Sequence, residues 1–284
     1  MLRQRVITAL VLLAVLLPAL FYPSPVPFSV LALAFMAAAA WEWARLNGCG
    51  AAGALAWGAA CAALCAGTWL TLGVDAVPPV SWWLAGAVWV LGGAWVLHRG
   101  VGGWAQWPRA ARLVLGVAVL WWAWLAVAQA RVLGINFLLS VLMLVWTADI
   151  GAYFAGRAFG GRLVPRKLAP TISPGKSWEG VFGGMAGVLL VGALWLWADR
   201  VWAAQTPSLY TRLWQSGALA WGAGLLFLAA MSVVGDLVES LVKRSAGAKD
   251  SSALLPGHGG VLDRVDALLP TLPLALMWVG GRSA

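Results

Sequence analysis

Apolar runs long enough to cross a bilayer recur from one end of the chain to the other, broken by short polar stretches. A hydrocarbon core of about 30 Å needs about 20 helical residues to span it. On that measure the pattern predicts about nine membrane helices, at approximately 6–22, 28–45, 51–73, 80–97, 112–130, 133–156, 178–198, 217–242 and 261–280. Arg3 and Arg5 precede the first run, but no small-residue cleavage site follows it. It therefore reads as an uncleaved first helix and not as a secretory signal. The expected fold class is all-α: a polytopic integral membrane protein without a soluble domain, fixed repeat or low-complexity linker.

Composition agrees with the pattern, since 62% of the 284 residues are hydrophobic and only 10% are charged. Charge adds an orientation. If the N-terminus is cytoplasmic, fifteen of the 19 Lys and Arg fall in inner segments and four, Arg131, Arg200, Arg212 and Arg282, fall outside. Wrong spans would scramble that asymmetry, so the positive-inside rule supports the assignment and a cytoplasmic N-terminus. A net charge of +9 placed mostly on one face suits anionic headgroups or phosphorylated substrates, and no basic soluble domain offers itself to nucleic acid. Cys49, Cys61 and Cys65 read as small buried hydrophobes, not as a disulfide or metal pair.

Acidic residues divide the chain more sharply than hydropathy does. Only Glu42 and Asp75 precede residue 149; the other eight begin with Asp149, several of them inside or at the ends of apolar runs. A carboxylate at membrane depth costs about 2.5–3.5 kcal/mol on insertion scales, so it is normally paired or functional. Residues 1–130 are accordingly expected to form a hydrophobic scaffold, with many of the 21 Trp as interface anchors. Residues 131–284 are expected to form the catalytic half, with cytoplasmic loops at 157–177 and 243–262.

Two loops carry the candidate chemistry. In the first, Ser173-Pro174-Gly175-Lys176 reads as the start of the seventh membrane helix, with Ser173 as N-cap and Lys176 adding charge at an anion-attracting helix terminus. Beyond it, Gly180, Gly183, Gly184 and Gly187 form two overlapping G-x-x-x-G spacings, which predict close helix packing. In the eighth predicted helix Ser232, Asp236, Glu239, Ser240 and Lys243 share one face. After the second loop, KDSSALLPGHGGVLDRVD (Lys249 to Asp266), Asp263 and Asp266 sit one turn apart at the start of the ninth. An antiparallel hairpin would bring these carboxylates together, a donor set suited to hard cations such as Mg²⁺. Lys243, Arg244, Lys249 and Arg264 surround them with the positive charge that phosphoryl or nucleotidyl transfer requires. Asp149 and Tyr153, one turn apart in the sixth run, either line the same cavity or bond to each other, and His258 sits among glycines that permit close ligand approach.

These residues carry a family resemblance. Ser240, Lys243-Arg244, Lys249-Asp250 and the unbroken run Leu255 to Asp266 resemble the signature of phosphatidate cytidylyltransferases. TADIGAYFAGRAFG (Thr147 to Gly160) and SPGKSWEG (Ser173 to Gly180) resemble secondary motifs of the same family. The likeness covers about residues 145–270; the first 130 share only a hydrophobic, helical character. It implies transfer from CTP to phosphatidic acid, giving CDP-diacylglycerol and pyrophosphate, by a multi-pass protein of the cell inner (plasma) membrane whose active site faces the cytoplasm. The implied catalytic set is Asp236, Lys243, Arg244, Lys249, Asp250, His258, Asp263 and Arg264. Ser173, Lys176, Ser240, Gly259, Gly260 and Asp149 would bind substrate, and Asp236, Asp263 and Asp266 would hold Mg²⁺, with a second cation allowed. Membrane lipids are expected partners, nucleic acid is not, and a homodimer is allowed. The competing reading is a secondary transporter of an anionic metabolite, with the carboxylates as ion sites.

Overall fold

The computed structural model describes residues 2–74 and 77–280, so Asp75 and Arg282 of the charge analysis lie outside the described residues. The chain is helical throughout: α1 Leu2–Phe21, α2 Val26–Leu46, α3 Ala51–Leu72, α4 Pro79–Ala87, α5 Gly93–Ala105, α6 Arg109–Leu133, α7 Ile135–Phe159, α8 Trp178–Val201, α9 Leu209–Trp214, α10 Ala218–Ser245, α11 Leu262–Val265 and α12 Leu268–Gly280. A π-helical turn, Val88–Gly92, joins α4 to α5 without a gap, and α5 itself kinks at Gly100, where φ is 69°. Among the described residues eight helices are long and apolar enough to cross a membrane.

Those eight match the first eight predicted runs. The ninth run does not form one span: α11 ends at Val265, and α12 starts afresh at Leu268. The cause was present in the sequence as Pro270. A proline ring clashes with the carbonyl four residues back, here that of Asp266, and lacks the N–H that would bond it. The break is built into the packing, because a Cβ at Gly235 of α10 would strike the Asp266 carbonyl and the Pro270 ring. Asp263 and Asp266 remain one turn apart on α11, since Asp266 caps that helix with helical backbone angles and its N–H bonds the Leu262 carbonyl at 3.0 Å; the break follows it.

Local signals set the other boundaries. The N–H of Gly134 closes α6 on the Ala130 carbonyl, and the carbonyl of Gly134 opens α7 by accepting from Leu138. With φ 137° and the Thr206 side chain against it, this hinge position admits no side chain. α6 and α10 are buried along most of their length and α1 hardly at all. α7 packs most extensively against α8, α2 against α3 and α6, and α10 against α5, α8 and α12. Part of the tryptophan content lies inside the bundle and not at its rims: Trp82 and Trp124 are fully buried, and the Trp124 indole donates to the Ser29 carbonyl at 3.0 Å.

The G-x-x-x-G expectation holds. A Cβ added at Gly184 would sit 2.6 Å from the Ala148 carbonyl oxygen, and one at Gly180 2.9 Å from that of Ala152. Gly184→Ala is therefore expected to lower stability by about 1–3 kcal/mol through overpacking. Gly67→Ala in α3, where nothing lies within 4 Å, is expected to cost nothing. Thermal unfolding of the two purified variants in detergent checks the contrast.

The basic loops gather at one end of the bundle. Arg5 Nε donates to the Gly257 carbonyl at 2.9 Å, and Arg244 Nε to that of Ile172 at 3.3 Å. At the opposite end Arg131 donates to the carbonyls of Leu20 and Tyr22 at 2.9 and 2.5 Å. Asp199 is also at that end, where it accepts from Asn136, Ser208 and Thr211. It staples the α8–α9 connection and plays no part in the acidic cluster.

Candidate active site

Close packing of α7 on α8 brings Asp149 toward the 160–177 loop. That loop is tied down by Glu179 in the first turn of α8, whose Oε1 accepts the backbone N–H groups of Leu163 and Val164 at 2.9 Å each. α8 is capped by Ser177, not Ser173: the Ser177 hydroxyl accepts from Gly180 N at 3.2 Å, and its backbone is extended. Ser173 instead closes a tight turn, its N–H bonded to the Ala169 carbonyl at 2.8 Å and its carbonyl accepting from Lys176. The earlier Ser-Pro pair fails as a helix start because a capping hydroxyl stands two or three residues before the N–H it receives, and the helix begins only at Trp178. The consequence is chemical. Lys176 lies in the loop, and its Nζ is 2.5 Å from Asp236 Oδ2 on α10. Asp149, Tyr153, Lys176 and Asp236 line one cavity of about 570 Å³, within the ordinary size range of ligand sites. Tyr153 accepts from Arg157 at 3.0 Å, so of the two options read from the sequence the shared cavity holds.

A second layer lies one to two turns along α10. Lys243 Nζ stands 2.6 Å from both Glu239 Oε2 and Asp263 Oδ1. The approach to Glu239 is an ion pair without hydrogen-bond alignment, and both Glu239 oxygens are buried with no donor. Asp263 is the opposite case. Its Oδ2 accepts from Ser251 N and Oγ at 2.9 Å each and from Gly260 N at 2.7 Å. Burial works against its charge, but these bonds and Lys243 outweigh burial and hold the carboxyl down to about 2. The glycines of the turn make this possible. Gly259 has φ 83°, and a Cβ there would meet Asp263 Oδ2; one at Gly260 would strike Ser251 and Glu42.

Glu42 is the residue that sequence reasoning missed. It lies in α2, inside the half expected to be scaffold, and is fully buried. Its Oε1 accepts from Ser252 Oγ at 2.5 Å and Val261 N at 2.9 Å, and its Oε2 from Leu262 N at 2.6 Å and Ser251 Oγ at 3.2 Å. Thr8 of α1 adds a bond to the Pro256 carbonyl at 3.0 Å. The N-terminal helices thus hold the second loop in place. A hint was available, since an acidic residue in the middle of an apolar run needs a partner, but the partner lies 219 residues away.

The other predicted residues divide into groups. Ser240 donates to Asp236 at 3.3 Å, inside the constellation. Arg244 bridges the two loops through the Ile172 and Ala248 carbonyls, and Arg264 holds the His258 carbonyl at 2.7 Å. His258 keeps a buried Nδ1 without a hydrogen-bond partner, a polar atom left open beside the turn. Lys249 and Asp250 are exposed on the loop, apart from the lysine–carboxylate core.

Asp266 caps α11 at its C-terminal end, where its Oδ1 accepts from Ala267 N at 2.7 Å. Burial, then the charge of Asp236, push its carboxyl upward, so the two carboxylates sense each other across the interface of α10 with the α11–α12 break. Among the described residues no three His, Cys, Asp or Glu side chains converge as a metal cage. Mg²⁺ does not require one, because it is held by one or two carboxylates with waters and substrate phosphates completing its shell. An oxygen-only donor pair in a region of excess negative charge fits on those terms.

Lys176, paired with Asp236 at an open cavity, and Lys243, held between Glu239 and Asp263 farther along α10, form a site able to receive a polyanion by exchanging partners. Comparison with other sequences agrees with that chemistry. Residues 3–280 match the profile of the cytidylyltransferase family. A phosphatidate cytidylyltransferase of Pseudomonas aeruginosa is 41% identical, with all of both chains aligned. One from Brucella melitensis is 34% identical over 98% of this chain and 93% of its own. One from Haemophilus influenzae is 46% identical over 49% of this chain and 44% of its own. With the match running from α1 to the end of α12, this chain belongs to the cytidylyltransferase family.

Proposed function

We propose that the protein transfers the cytidylyl group of CTP to phosphatidate, yielding CDP-diacylglycerol and pyrophosphate, at the cytoplasmic face of the inner membrane. The observation that carries this reading is the pair of lysine–carboxylate contacts, Lys176–Asp236 and Lys243–Asp263, stacked one to two turns apart along α10, the first of them lining the cavity. A phosphate oxygen of phosphatidate attacks the α-phosphorus of CTP, the bond to the β-phosphate breaks, and pyrophosphate leaves. Phosphatidate is already an anionic nucleophile, so no covalent enzyme intermediate is needed, and catalysis consists of positioning two polyanions and offsetting their repulsion. Lys176, on a loop tethered at Glu179, is placed to leave Asp236 for a phosphate oxygen. Lys243, held more rigidly by two carboxylates, is placed to stabilise charge at the reacting phosphate. Asp236 and Asp266 would hold Mg²⁺, with Asp263 adjoining. When bound, the ion supplies charge neutralisation on the phosphates and leaving group. The cytoplasmic orientation rests on the asymmetry of Lys and Arg.

The test is purified protein in mixed micelles with labelled CTP, omitting phosphatidate or Mg²⁺ in turn. Lipid-soluble label is expected only when all three are present, and a chelator should abolish it. Folded protein that leaves CTP untouched in the complete mixture would overturn the assignment. Full activity after chelation would overturn the metal.

A further inference from the structure

A second cavity, of about 460 Å³, lies on the other side of α10 from the Lys176 cleft. Building on the function proposed above, we propose that it houses an acyl chain of the phosphatidate, admitted sideways from the bilayer. Its walls are almost wholly apolar: Trp43 of α2, Trp89 of the π-helical turn, Trp104 of α5, Val119 of α6, and Val238 of α10. Cavities of this character stay dry and take apolar guests.

The outer rim is formed where α4 and α5 meet. Leu91, 71% exposed, points outward beside the cavity, and the helix there is widened into the π-helical turn Val88–Gly92, a local distortion that recurs at functional sites. Gly92 lines the opening, and a Cβ added to it would have nothing within 4 Å. The inner end is formed by Glu239, the one charged residue of the lining, with Leu262 and Gly235. Leu262 immediately precedes Asp263 and Gly235 precedes Asp236, while Glu239 is paired with Lys243. The chamber is therefore placed to open toward lipid at one end and to reach, through Glu239 and its ion pair, Lys243, the lysine expected to meet a phosphate. An anionic head at Lys243 with an apolar chain running out past Trp89 to Leu91 is the amphiphile that this arrangement fits.

Substitution at the rim provides the test. Gly92→Leu fills space in the channel, and excluding about two methylenes should raise KM for dioleoyl phosphatidate about tenfold. KM for CTP and turnover of dihexanoyl phosphatidate, too short to depend on the chamber, should be unchanged. Equal loss with both lipids, or no change with either, would overturn the proposal. A second measurement needs no variant and no turnover. Phosphatidate with a photoreactive group at the end of one acyl chain is bound to the unmodified protein without CTP, irradiated, and the label mapped by mass spectrometry. Labelling within residues 87–107, displaced by unlabelled phosphatidate but not by phosphatidylcholine, is expected. Label confined to other segments, or displaced equally by both lipids, would overturn the assignment. Failure of the proposed reaction shows itself separately, as absence of CDP-lipid from dihexanoyl phosphatidate with the unmodified protein.

Discussion

Asp263→Asn is expected to reduce kcat by about 10²–10³-fold at saturating CTP and Mg²⁺, the scale of removing one organised charge from a transfer centre. Its hydrogen bonds account for the size of the effect. Asp263 receives Lys243 on one oxygen and three loop donors, two from Ser251 and one from Gly260, on the other. Asparagine has a single acceptor oxygen and an NH₂ group in place of the second. Whichever way it turns, either Lys243 or the loop faces donors with a donor. Lys243 is then left with Glu239 alone, to which it is not aligned, and is drawn away from the reacting phosphate. Turnover in mixed micelles measures the effect, and the thermal midpoint in detergent separates it from unfolding. A folded Asp263→Asn protein with unmodified turnover would remove this residue from the reacting site.

Glu42→Gln is expected to loosen the second loop and to abolish most activity, although Glu42 belongs to α2 and touches no residue of the signature except through the loop's donors. Each carboxylate oxygen takes two of them. The amide keeps one oxygen, so one backbone N–H loses its acceptor, either Val261 together with the Ser252 hydroxyl or Leu262, whose companion Ser251 keeps Asp263. A buried donor left unmet costs about 1–3 kcal/mol, more where the lost partner was charged, so a loss of roughly 2–5 kcal/mol is expected. The readouts are a lower unfolding midpoint and faster amide exchange across residues 251–262. Exchange unaltered in that segment would show that Glu42 does not hold the loop.

Most of the helices and much of the site chemistry were legible in the chain itself, for reasons that are local. Span length and apolar periodicity depend on near neighbours, and so does the small-residue stripe of α8. The one-turn spacing of Asp236, Glu239, Ser240 and Lys243 is fixed once α10 is a helix. Where reading failed, the deciding contact was not local or a local signal was passed over. By hydropathy the ninth run reads as one helix, although Pro270 forbids the Asp266 carbonyl a place in it. Ser173, before a proline, reads as a cap, whereas the helix starts where a hydroxyl, that of Ser177, reaches a free N–H.

By itself the sequence determined a polytopic helical protein with its acidic and basic residues concentrated in the second half, because hydropathy and charge are properties of residues and short windows. Only the tertiary structure decided that Lys176 meets Asp236, that Lys243 spans Glu239 and Asp263, and that Glu42 from the supposed scaffold holds the loop beneath them. These pairings join residues from 4 to 220 positions apart. Over the longer of those separations no periodicity or spacing specifies contact, and the packing of α2, α8, α10 and the broken α11–α12 segment alone brings the charges to one place.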